Sequence, residues 1–394
     1  MKNILVNLSL HVPYRYFKSV IRRFLFCFDS LFLHDVSPKN GVALIRLDAI
    51  GDFIVWLDSA KAYRGIYPSE RIVLIANTSW AEFAMTLPYW DEVLPVDPLR
   101  FSRFGKYRFY CMKKISSYGF SVAIHPGYSR RTSLGDSIVR ATQATHKIAP
   151  VRDRMNSVVP DRERKIADAW YSRIVPSPPD EIMELDRNTD FLNQMTGRRL
   201  FAPSLPKLPP SQRSHLDLGA YFIVVPGAGW QGRMWRIANF CSVILRVREK
   251  YGLRAVICGG SSEMTLCQRI LDEVKGDAVN YAGKTSLLDL ADLIAGARVV
   301  VTNETAAVHF ATAVGTPSVC IIGGGHFGRF VPYPEKFSGV KPIVANFHMI
   351  CYGCNWSCTE IYAYGNPVPC IDKISVNVVL DAIDQAIGQN ESNL

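Results

Sequence analysis

Short apolar runs alternate with helix-length segments twice along this chain, and this alternation constrains the fold more than any other feature. Runs that are apolar throughout indicate strands buried on both faces, which is typical of a parallel sheet covered by helices. In the first half the predicted strands are Gly41–Arg46, Arg71–Ile75, Glu92–Val96 and Phe120–Ile124, and the predicted helices are Phe53–Tyr67, Trp80–Leu87 and Arg108–Ser117.

The same alternation restarts after a segment with four prolines and little periodicity, residues 197–219. A proline-rich break of this kind is typical of an interdomain linker. In the second half the predicted strands are Tyr221–Val225, Arg254–Cys258, Arg298–Thr302 and Ser318–Ile322, and the predicted helices are Ile237–Tyr251, Ser262–Val274, Leu287–Ala295, Thr305–Val314 and Val376–Ala386.

The length of 394 residues also exceeds what one hydrophobic core usually supports. We therefore predict an N-terminal arm over residues 1–40, a first Rossmann-like domain over 41–200 and a linker over 201–218. A second Rossmann-like domain then takes residues 219–394, with a cysteine-rich segment and a C-terminal helix. Two doubly wound α/β domains bind ligands at the carboxyl ends of their strands, so we expect a ligand cleft between them.

The N-terminal arm is rich in aromatic and basic residues, and the whole chain carries a net charge of +10. This charge indicates an anionic partner, which can be nucleic acid, lipid headgroups or a phosphorylated small molecule. If residues 14–33 are helical, an apolar stripe lies beside Lys18, Arg22 and Arg23. Such a helix suits either the surface of an anionic membrane or packing on the protein's own surface. We find no convincing membrane span or cleavable signal peptide and expect a cytoplasmic protein.

Several glycine-containing turns follow predicted strands and can present backbone amides to phosphate oxygens. They contain Gly51, Gly227–Ala228–Gly229, Gly259–Gly260 and Gly323–Gly325. None has the phosphate-loop pattern of nucleotide hydrolases or the glycine fingerprint of dinucleotide dehydrogenases. Arg233 and Arg236 follow the second of these turns, where a fixed guanidinium can stabilise a diphosphate leaving group; a solvated arginine pair is the alternative.

Carboxylates occur in two of the predicted turns. RLDAIGDFIVW, residues 46–56, contains Asp48 and Asp52, either of which can cap the following helix. In the second half, Glu304 lies between a predicted strand and helix, where it can accept hydrogen bonds from sugar hydroxyls, while Asn303 or Thr305 can cap the helix.

Three segments in matching order resemble one known family. LIRLDAIGDFIVWLDSAKAYRGIYP resembles the opening of the bacterial heptosyltransferases, glycosyltransferase family nine, and VVPGAGWQGRMW resembles their Pro-Gly-Ala segment with its basic residue. AGKTSLLDLADLIAGARVVVTNETAAVHFATAVGTPSVCIIGGG resembles their donor-site segment. The resemblance implies a GT-B fold and an inverting, metal-independent transfer from a nucleotide-diphosphate sugar. It also implies a lipopolysaccharide-core or related glycolipid acceptor at the inner face of the cytoplasmic membrane.

The resemblance also assigns residues to roles. Asp52 is the expected general base and Gly51 lies against the donor phosphates, while Asp48 is left as a turn residue. The remaining expected donor-binding residues are Gly227, Ala228, Gly229, Arg233, Gly259, Gly260, Glu304, Thr305, Ala306, Ala307 and His309. The family's Asp-Thr-Gly-Pro-x-His is replaced by Glu-Thr-Ala-Ala-Val-His in this chain. The resemblance still implies the reaction class, but this difference leaves the sugar and the nucleotide of the donor unidentified.

Four cysteines cluster near the C-terminus, at Cys351, Cys354, Cys358 and Cys370. The spacing of the first pair is that of metal ligands, so the four can hold a structural zinc ion or iron–sulfur cluster; reduced thiols or a local disulfide are the alternatives. The transfer itself is expected to need no cofactor and no nucleic-acid partner. Two other functions stay open, an epimerase of nucleotide-diphosphate sugars with the same fold and a catalytically silent protein that binds nucleotide sugars or glycans.

Overall fold

The computed structural model describes residues 29, 33, 40–153, 161–178, 182–198, 205, 208, 218–276 and 278–391. These residues form two compact units. The first unit draws on Met1–Ala49, Ala60–Asp180 and Asp190–Phe201, and the second on Ile50–Ser59, Glu181–Thr189 and Ala202–Leu394. The second unit therefore includes two segments that precede the predicted linker in sequence.

The first unit contains a parallel sheet of six strands in the order β3-β2-β1-β4-β5-β6, which is the order of a doubly wound dinucleotide-binding sheet. The strands are β1 Gly41–Arg46, β2 Arg71–Asn77, β3 Glu92–Val96, β4 Val122–Ile124, β5 His146–Pro150 and β6 Arg173–Val175. Helices along this part of the chain are α1 Ile50–Ile66, α2 Ala81–Met85, α3 Pro98–Phe101, α4 Lys106–Ser116, α5 Ser137–Ala141, α6 Asp161–Asp168 and α7 Glu184–Thr196, with a π-helical turn at Thr132–Asp136.

The second unit repeats this topology, with six parallel strands in the order β12-β11-β10-β7-β8-β9. The strands are β7 Tyr221–Val225, β8 Arg254–Ile257, β9 Ala278–Asn280, β10 Val300–Asn303, β11 Ser318–Ile321 and β12 Ile343–Ala345. The helices are α8 Ile237–Tyr251, α9 Met264–Val274, α10 Leu287–Ala295, α11 Ala306–Val314, α12 Pro369–Asp372 and α13 Val376–Glu391, with 3-10 turns at Gln231–Arg233, Ser261–Glu263 and Gly324–His326.

Each sheet has a completely buried centre. Both faces of β1 and of β7 are covered, because every residue of these two strands is buried. This explains why their sequences are apolar without alternation. In the second unit, α8, α9 and α13 pack on one core together with Trp235 and Cys370. The two parallel doubly wound sheets confirm the predicted fold class.

Most of the predicted arm and linker lies outside the described residues, including nearly all of the predicted helix over 14–33. Asp29 is described, and its carboxylate accepts hydrogen bonds from Arg108 Nε at 2.8 Å and Nη2 at 2.5 Å. Both side chains are completely buried, so at Asp29 the arm packs on its own unit. Among the described residues, no helix is both long enough and apolar enough to cross a membrane.

Candidate functional site

The turn between β1 and α1 contains the first of the two carboxylates. Asp48 pairs through Oδ2 with Arg46 Nε at 2.9 Å. Its carbonyl oxygen accepts hydrogen bonds from Asn77 Nδ2 and Trp80 Nε1, both at 3.0 Å. The residue before the helix is Ala49, and no side chain caps it. Asp48 therefore lies in the turn before α1, and neither carboxylate is the N-cap of that helix.

The first turn of α1 lies against the first turn of α11 within the second unit. A Cβ atom built on Gly51 would lie 3.3 Å from His309 Cδ2 and 3.7 Å from the Cα atom of Ala306. Glycine at position 51 thus allows a closer approach of the two helices than a residue with a side chain would. Asp52 follows in the same turn and is half-buried. Gly51, Ala306 and His309 are therefore brought together, although Gly51 is distant from the other two in sequence.

His309 is a buried, neutral imidazole in this arrangement. Its Nδ1 lies 2.9 Å from the hydroxyl of Tyr333, and burial lowers the pKa of His309 to about 3. Burial also raises the pKa of Tyr333, so the phenol stays protonated, and its oxygen can either donate to Nδ1 or accept from it. A neutral imidazole has one N–H donor and one acceptor nitrogen, and it is not a proton donor for catalysis at neutral pH.

The glycine turn after β7 is held by a buried asparagine. Asn303 Nδ2 donates to the carbonyl oxygens of Pro226 at 2.7 Å and Gly227 at 3.2 Å. Its Oδ1 accepts a hydrogen bond from the backbone amide of Trp235 at 3.1 Å. The cap of α11 is instead Thr305, whose Oγ1 accepts from the amide of Ala307 at 3.3 Å. Asn303 therefore fixes both ends of the segment that carries Gly227, Ala228, Gly229 and Arg233.

Arg233 and Glu304 form an ion pair at the carboxyl end of β10. Arg233 Nη2 donates to Glu304 Oε2 at 2.8 Å and to the Glu304 carbonyl oxygen at 2.9 Å. Glu304 is only 7% exposed. Burial raises its pKa to about 6, although the guanidinium of Arg233 acts in the opposite direction. Two of the predicted donor-site residues are thus in direct contact.

Arg236 does not join this pair. Its Nη2 donates to Asp372 Oδ2 at 2.9 Å, and this hydrogen bond raises the pKa of Arg236. Of the two arginines that follow the glycine turn, Arg233 therefore pairs with Glu304 and Arg236 with Asp372. Two arginines three residues apart have similar sequence surroundings, and only the folded chain shows that one of them faces a carboxylate near the C-terminus.

The glycine turn after β8 contains a carboxylate that sequence reasoning missed. Glu263 Oε2 accepts a hydrogen bond from the amide of Gly260 at 2.7 Å. The same carboxylate lies over Gly259 and Gly227, since a Cβ atom on either glycine would approach it within 2.9 Å. Gly227, Gly259 and Gly260 therefore lie around one carboxylate, and Glu263 takes the Gly260 amide. The available signal was the position of a glutamate three residues after the turn, as in a capping box.

The glycine turn after β11, Gly323–Gly325, is covered by the cysteine-rich segment. The amide of Gly324 donates to Cys370 Sγ at 3.4 Å, and the rings of Tyr352 and Trp356 pack on Gly324 and Gly325. The prediction that this turn receives phosphate oxygens was therefore wrong. Its backbone instead anchors the segment that follows.

The four C-terminal cysteines are free thiols. Burial raises the pKa of Cys354 and of Cys370, and the neighbouring thiols add to both shifts. In the part of the chain that the structure describes, no group of three or more His, Cys, Asp or Glu side chains is placed to hold a metal ion. The four thiols therefore do not form a preassembled tetrathiolate.

Comparison with known proteins identifies the family. Residues 137–352, more than half of the chain, match the model of glycosyltransferase family 9 (heptosyltransferase). Lipooligosaccharide heptosyltransferase 2 of Haemophilus influenzae is 41% identical over 56 residues, which are 14% of this chain and 16% of that protein. The sequence match thus spans about a sixth of that relative's length.

Solved structures resemble most of the chain. A family 9 glycosyl transferase from Veillonella parvula gives a TM-score of 0.68 at 14% identity, covering 91% of this chain and 99% of the other. The E. coli ADP-heptose lps heptosyltransferase II gives 0.62 at 14% identity, covering 89% and 99%. The iron-containing dodecameric glycosyltransferase TibC of E. coli gives 0.50 at 14% identity, covering 92% and 81%.

The likeness to these structures confirms the GT-B fold, and the match over residues 137–352 contains the Arg233 and Glu304 segments described above. The chain therefore belongs to glycosyltransferase family 9, the heptosyltransferase family.

Proposed function

We propose that the protein is an inverting, metal-independent glycosyltransferase. It transfers a heptose or another hexose-type sugar from a nucleotide-diphosphate donor to a lipopolysaccharide or related surface-glycan acceptor. The observation that carries this proposal is the approach of Gly51, the residue before Asp52, to the first turn of α11, which Glu304 precedes. A carboxylate suited to act as a base thus directly follows the glycine that meets a helix start suited to bind a donor diphosphate.

The residues proposed to bind the nucleotide-sugar donor are those that lie in contact in the second unit. The Arg233 guanidinium and the amide end of α11 are positive groups for the diphosphate, and His309 is a neutral imidazole in the same helix. Glu263 and Glu304 are acceptors for sugar and ribose hydroxyls. The resemblance to an ADP-heptose transferase supports an ADP sugar, while the Glu304–Thr–Ala–Ala turn is consistent with a different sugar.

In the proposed reaction, Asp52 removes the proton of an acceptor hydroxyl as its oxygen attacks the anomeric carbon of the donor sugar. The bond between that carbon and the diphosphate oxygen breaks, and the nucleoside diphosphate leaves with the electron pair. Arg233 and the α11 amides stabilise the charge that develops on the leaving oxygen. Attack opposite the leaving group inverts the anomeric configuration. A base is needed because an alcohol is a weak nucleophile at neutral pH.

A donor screen followed by a transfer assay tests this function. ADP, GDP, UDP and TDP sugars are first compared for their effect on the thermal midpoint, because a ligand at 100 times its Kd stabilises the fold by about 2.7 kcal/mol. The stabilising sugar is then incubated with a membrane glycolipid fraction, and we expect a glycosylated lipid product. Formation of an isomeric nucleotide sugar without acceptor would instead indicate the epimerase, and binding without any product would indicate the silent binding protein.

We also propose that the enzyme acts on the inner face of the cytoplasmic membrane, and α3 and α4 support this location. Leu99, Phe104 and Tyr110 are exposed by 71%, 58% and 62%. Exposed basic residues lie between and beside them, at Arg100, Arg103, Lys106 and Lys113, and residues 98–116 contain no aspartate or glutamate. Exposed apolar side chains among exposed positive charges are suited to an anionic lipid surface.

Reversing two of these charges should weaken membrane binding. Each basic residue near an anionic surface contributes about 1 kcal/mol, so Arg100→Glu with Arg103→Glu should lower binding to phosphatidylglycerol-containing vesicles by at least about tenfold, measured by cosedimentation. The matched control is Arg246→Glu with Arg269→Glu, which changes the net charge equally at exposed positions of α8 and α9. Equal loss of binding in both double variants would show that net charge, and not the α3–α4 surface, is responsible.

A structural metal at the four cysteines stays a prediction. The spacing of Cys351 and Cys354 supports it, as does the similarity of fold to an iron-containing transferase. The described arrangement is not a ready-made site, so metal binding would require the thiols to move and ionise. Elemental analysis of the purified protein tests this prediction, and no step of the proposed transfer depends on it.

A further inference from the structure

The cysteine-rich segment carries a tryptophan in an unusual backbone conformation. The amide of Ser357 donates to the carbonyl of Cys354 at 2.9 Å, closing a turn in which Asn355 and Trp356 have φ angles of 49° and 60°. The left-handed region costs a residue with a side chain about 1–2 kcal/mol. The amide of Asn355 donates to the Gly325 carbonyl at 3.0 Å, which fixes the turn to the loop after β11.

This turn places the indole of Trp356 beside the Arg233–Glu304 pair. The guanidinium carbon of Arg233 lies 5.0 Å from the centre of the Trp356 ring. The ring also meets Trp230 edge to face at 6.2 Å. A Cβ atom on Gly325 would lie 2.2 Å from Trp356 Cδ2, so glycine is required there for the indole to reach this position. The loops after β7 and β11 thus meet at one tryptophan, and the loop after β10 is joined to them through the Arg233–Glu304 pair.

Within the part of the chain that the structure describes, three polar atoms of this cluster are buried without a hydrogen-bond partner. They are Arg233 Nε, Glu304 Oε1 and Trp356 Nε1. Burying such atoms without partners costs about 1–3 kcal/mol each, so one in Arg233 and one in each of its two neighbours call for an explanation. The set contains two N–H donors and one carboxylate acceptor. A packing role alone would not leave unpaired atoms of complementary kinds together.

Two hydrogen-bond donors and one acceptor indicate which part of the nucleotide sugar lies here, the diphosphate or the sugar. A diphosphate oxygen can accept hydrogen bonds but cannot satisfy a carboxylate. A sugar hydroxyl can accept one hydrogen bond and donate another. We propose that Trp356 recognises the transferred sugar: its indole N–H donates to a sugar hydroxyl, which in turn donates to Glu304 Oε1. This inference rests on the proposed function, and it gives the cysteine-rich segment the role of holding Trp356 in place.

The test compares each nucleotide sugar with its own nucleoside diphosphate. The probes are ADP-heptose with ADP, GDP-mannose with GDP and UDP-glucose with UDP, titrated calorimetrically into the wild type and Trp356→Phe. The substitution keeps an aromatic ring beside Arg233 and removes the N–H. We expect Kd for the bound nucleotide sugar to rise about tenfold, as for loss of one hydrogen bond, and Kd for the nucleoside diphosphate to stay within about twofold.

Trp170→Phe is the matched control, since Trp170 is half-buried in the first unit and its ring lies 5.1 Å from the guanidinium of Arg140. It should change neither Kd. If Trp356→Phe weakened the binding of the nucleotide sugar and of the nucleoside diphosphate equally, Trp356 would only pack against Arg233, and the inference would be overturned. Unchanged binding of both ligands would overturn it as well. A wild type that binds none of the nucleotide sugars contradicts the proposed function itself, and the sugar subsite with it.

Discussion

Asp52→Asn is expected to lower the rate of sugar transfer by about 100- to 10,000-fold, the range typical for loss of a general base. Asparagine has the shape of aspartate but cannot take the acceptor proton. The change leaves Arg233, Glu304 and the start of α11 in place, so the affinity for the donor should be nearly unchanged. Single-turnover transfer and calorimetric titration of the donor together measure the two quantities.

Asp48→Asn is the matched control for this prediction. Asp48 lies four residues earlier and is bound to Arg46 in the turn, where its carbonyl oxygen also anchors Asn77 and Trp80. Because the backbone contacts survive the substitution, we expect transfer close to that of the wild type. If both variants lost transfer equally, or if Asp52→Asn lost donor binding as well, the assignment of Asp52 as the base would be untenable.

The centre of each sheet could be predicted from sequence because burial on both faces leaves an uninterrupted apolar run. β1, β3 and β7 were predicted with their observed bounds. The helices α8 and α10 were also predicted with their observed bounds. At the end of α8, Gly252 adopts the left-handed conformation, and at the start of α10, Ser286 caps the helix through its side chain. Both features are local, and both can be read from the chain.

The missed strands are short and less buried. β6, β9 and β12 have three residues each and lie at sheet edges, and β5 begins with the exposed His146. Such strands are defined by the neighbour they pair with, not by their own sequence.

The missed parts of the site have the same origin. Asn303 binds the Pro226–Gly227 turn and Trp356 reaches Arg233 across long sequence separations. The sequence indicated the segment that contains each of these two residues, but it did not indicate which distant residue each one contacts.

Arg233→Gln should weaken donor binding by about 10- to 100-fold, because a hydrogen bond to a charged group contributes about 1.5–3 kcal/mol. It should also destabilise the fold in a pH-dependent way. Burial raises the pKa of Glu304 from 4.5 to about 6, so folding favours its protonated form. This contribution to stability is complete below pH 4.5 and is lost as the pH rises through 6. In Arg233→Gln the pKa of Glu304 rises further, so this contribution to stability is lost at a higher pH than in the wild type.

Urea unfolding at pH 5 and pH 8 should therefore show a small destabilisation of Arg233→Gln at pH 5. At pH 8 the ionised Glu304 lacks its partner, and we expect a loss of about 3 kcal/mol. Combining Arg233→Gln with Glu304→Gln removes the unpaired charge, so the double variant should regain most of this stability while donor binding stays weak. A loss of stability that is equal at both pH values, or that the second substitution fails to reverse, would show that Arg233 stabilises the unit by packing and not by neutralising Glu304.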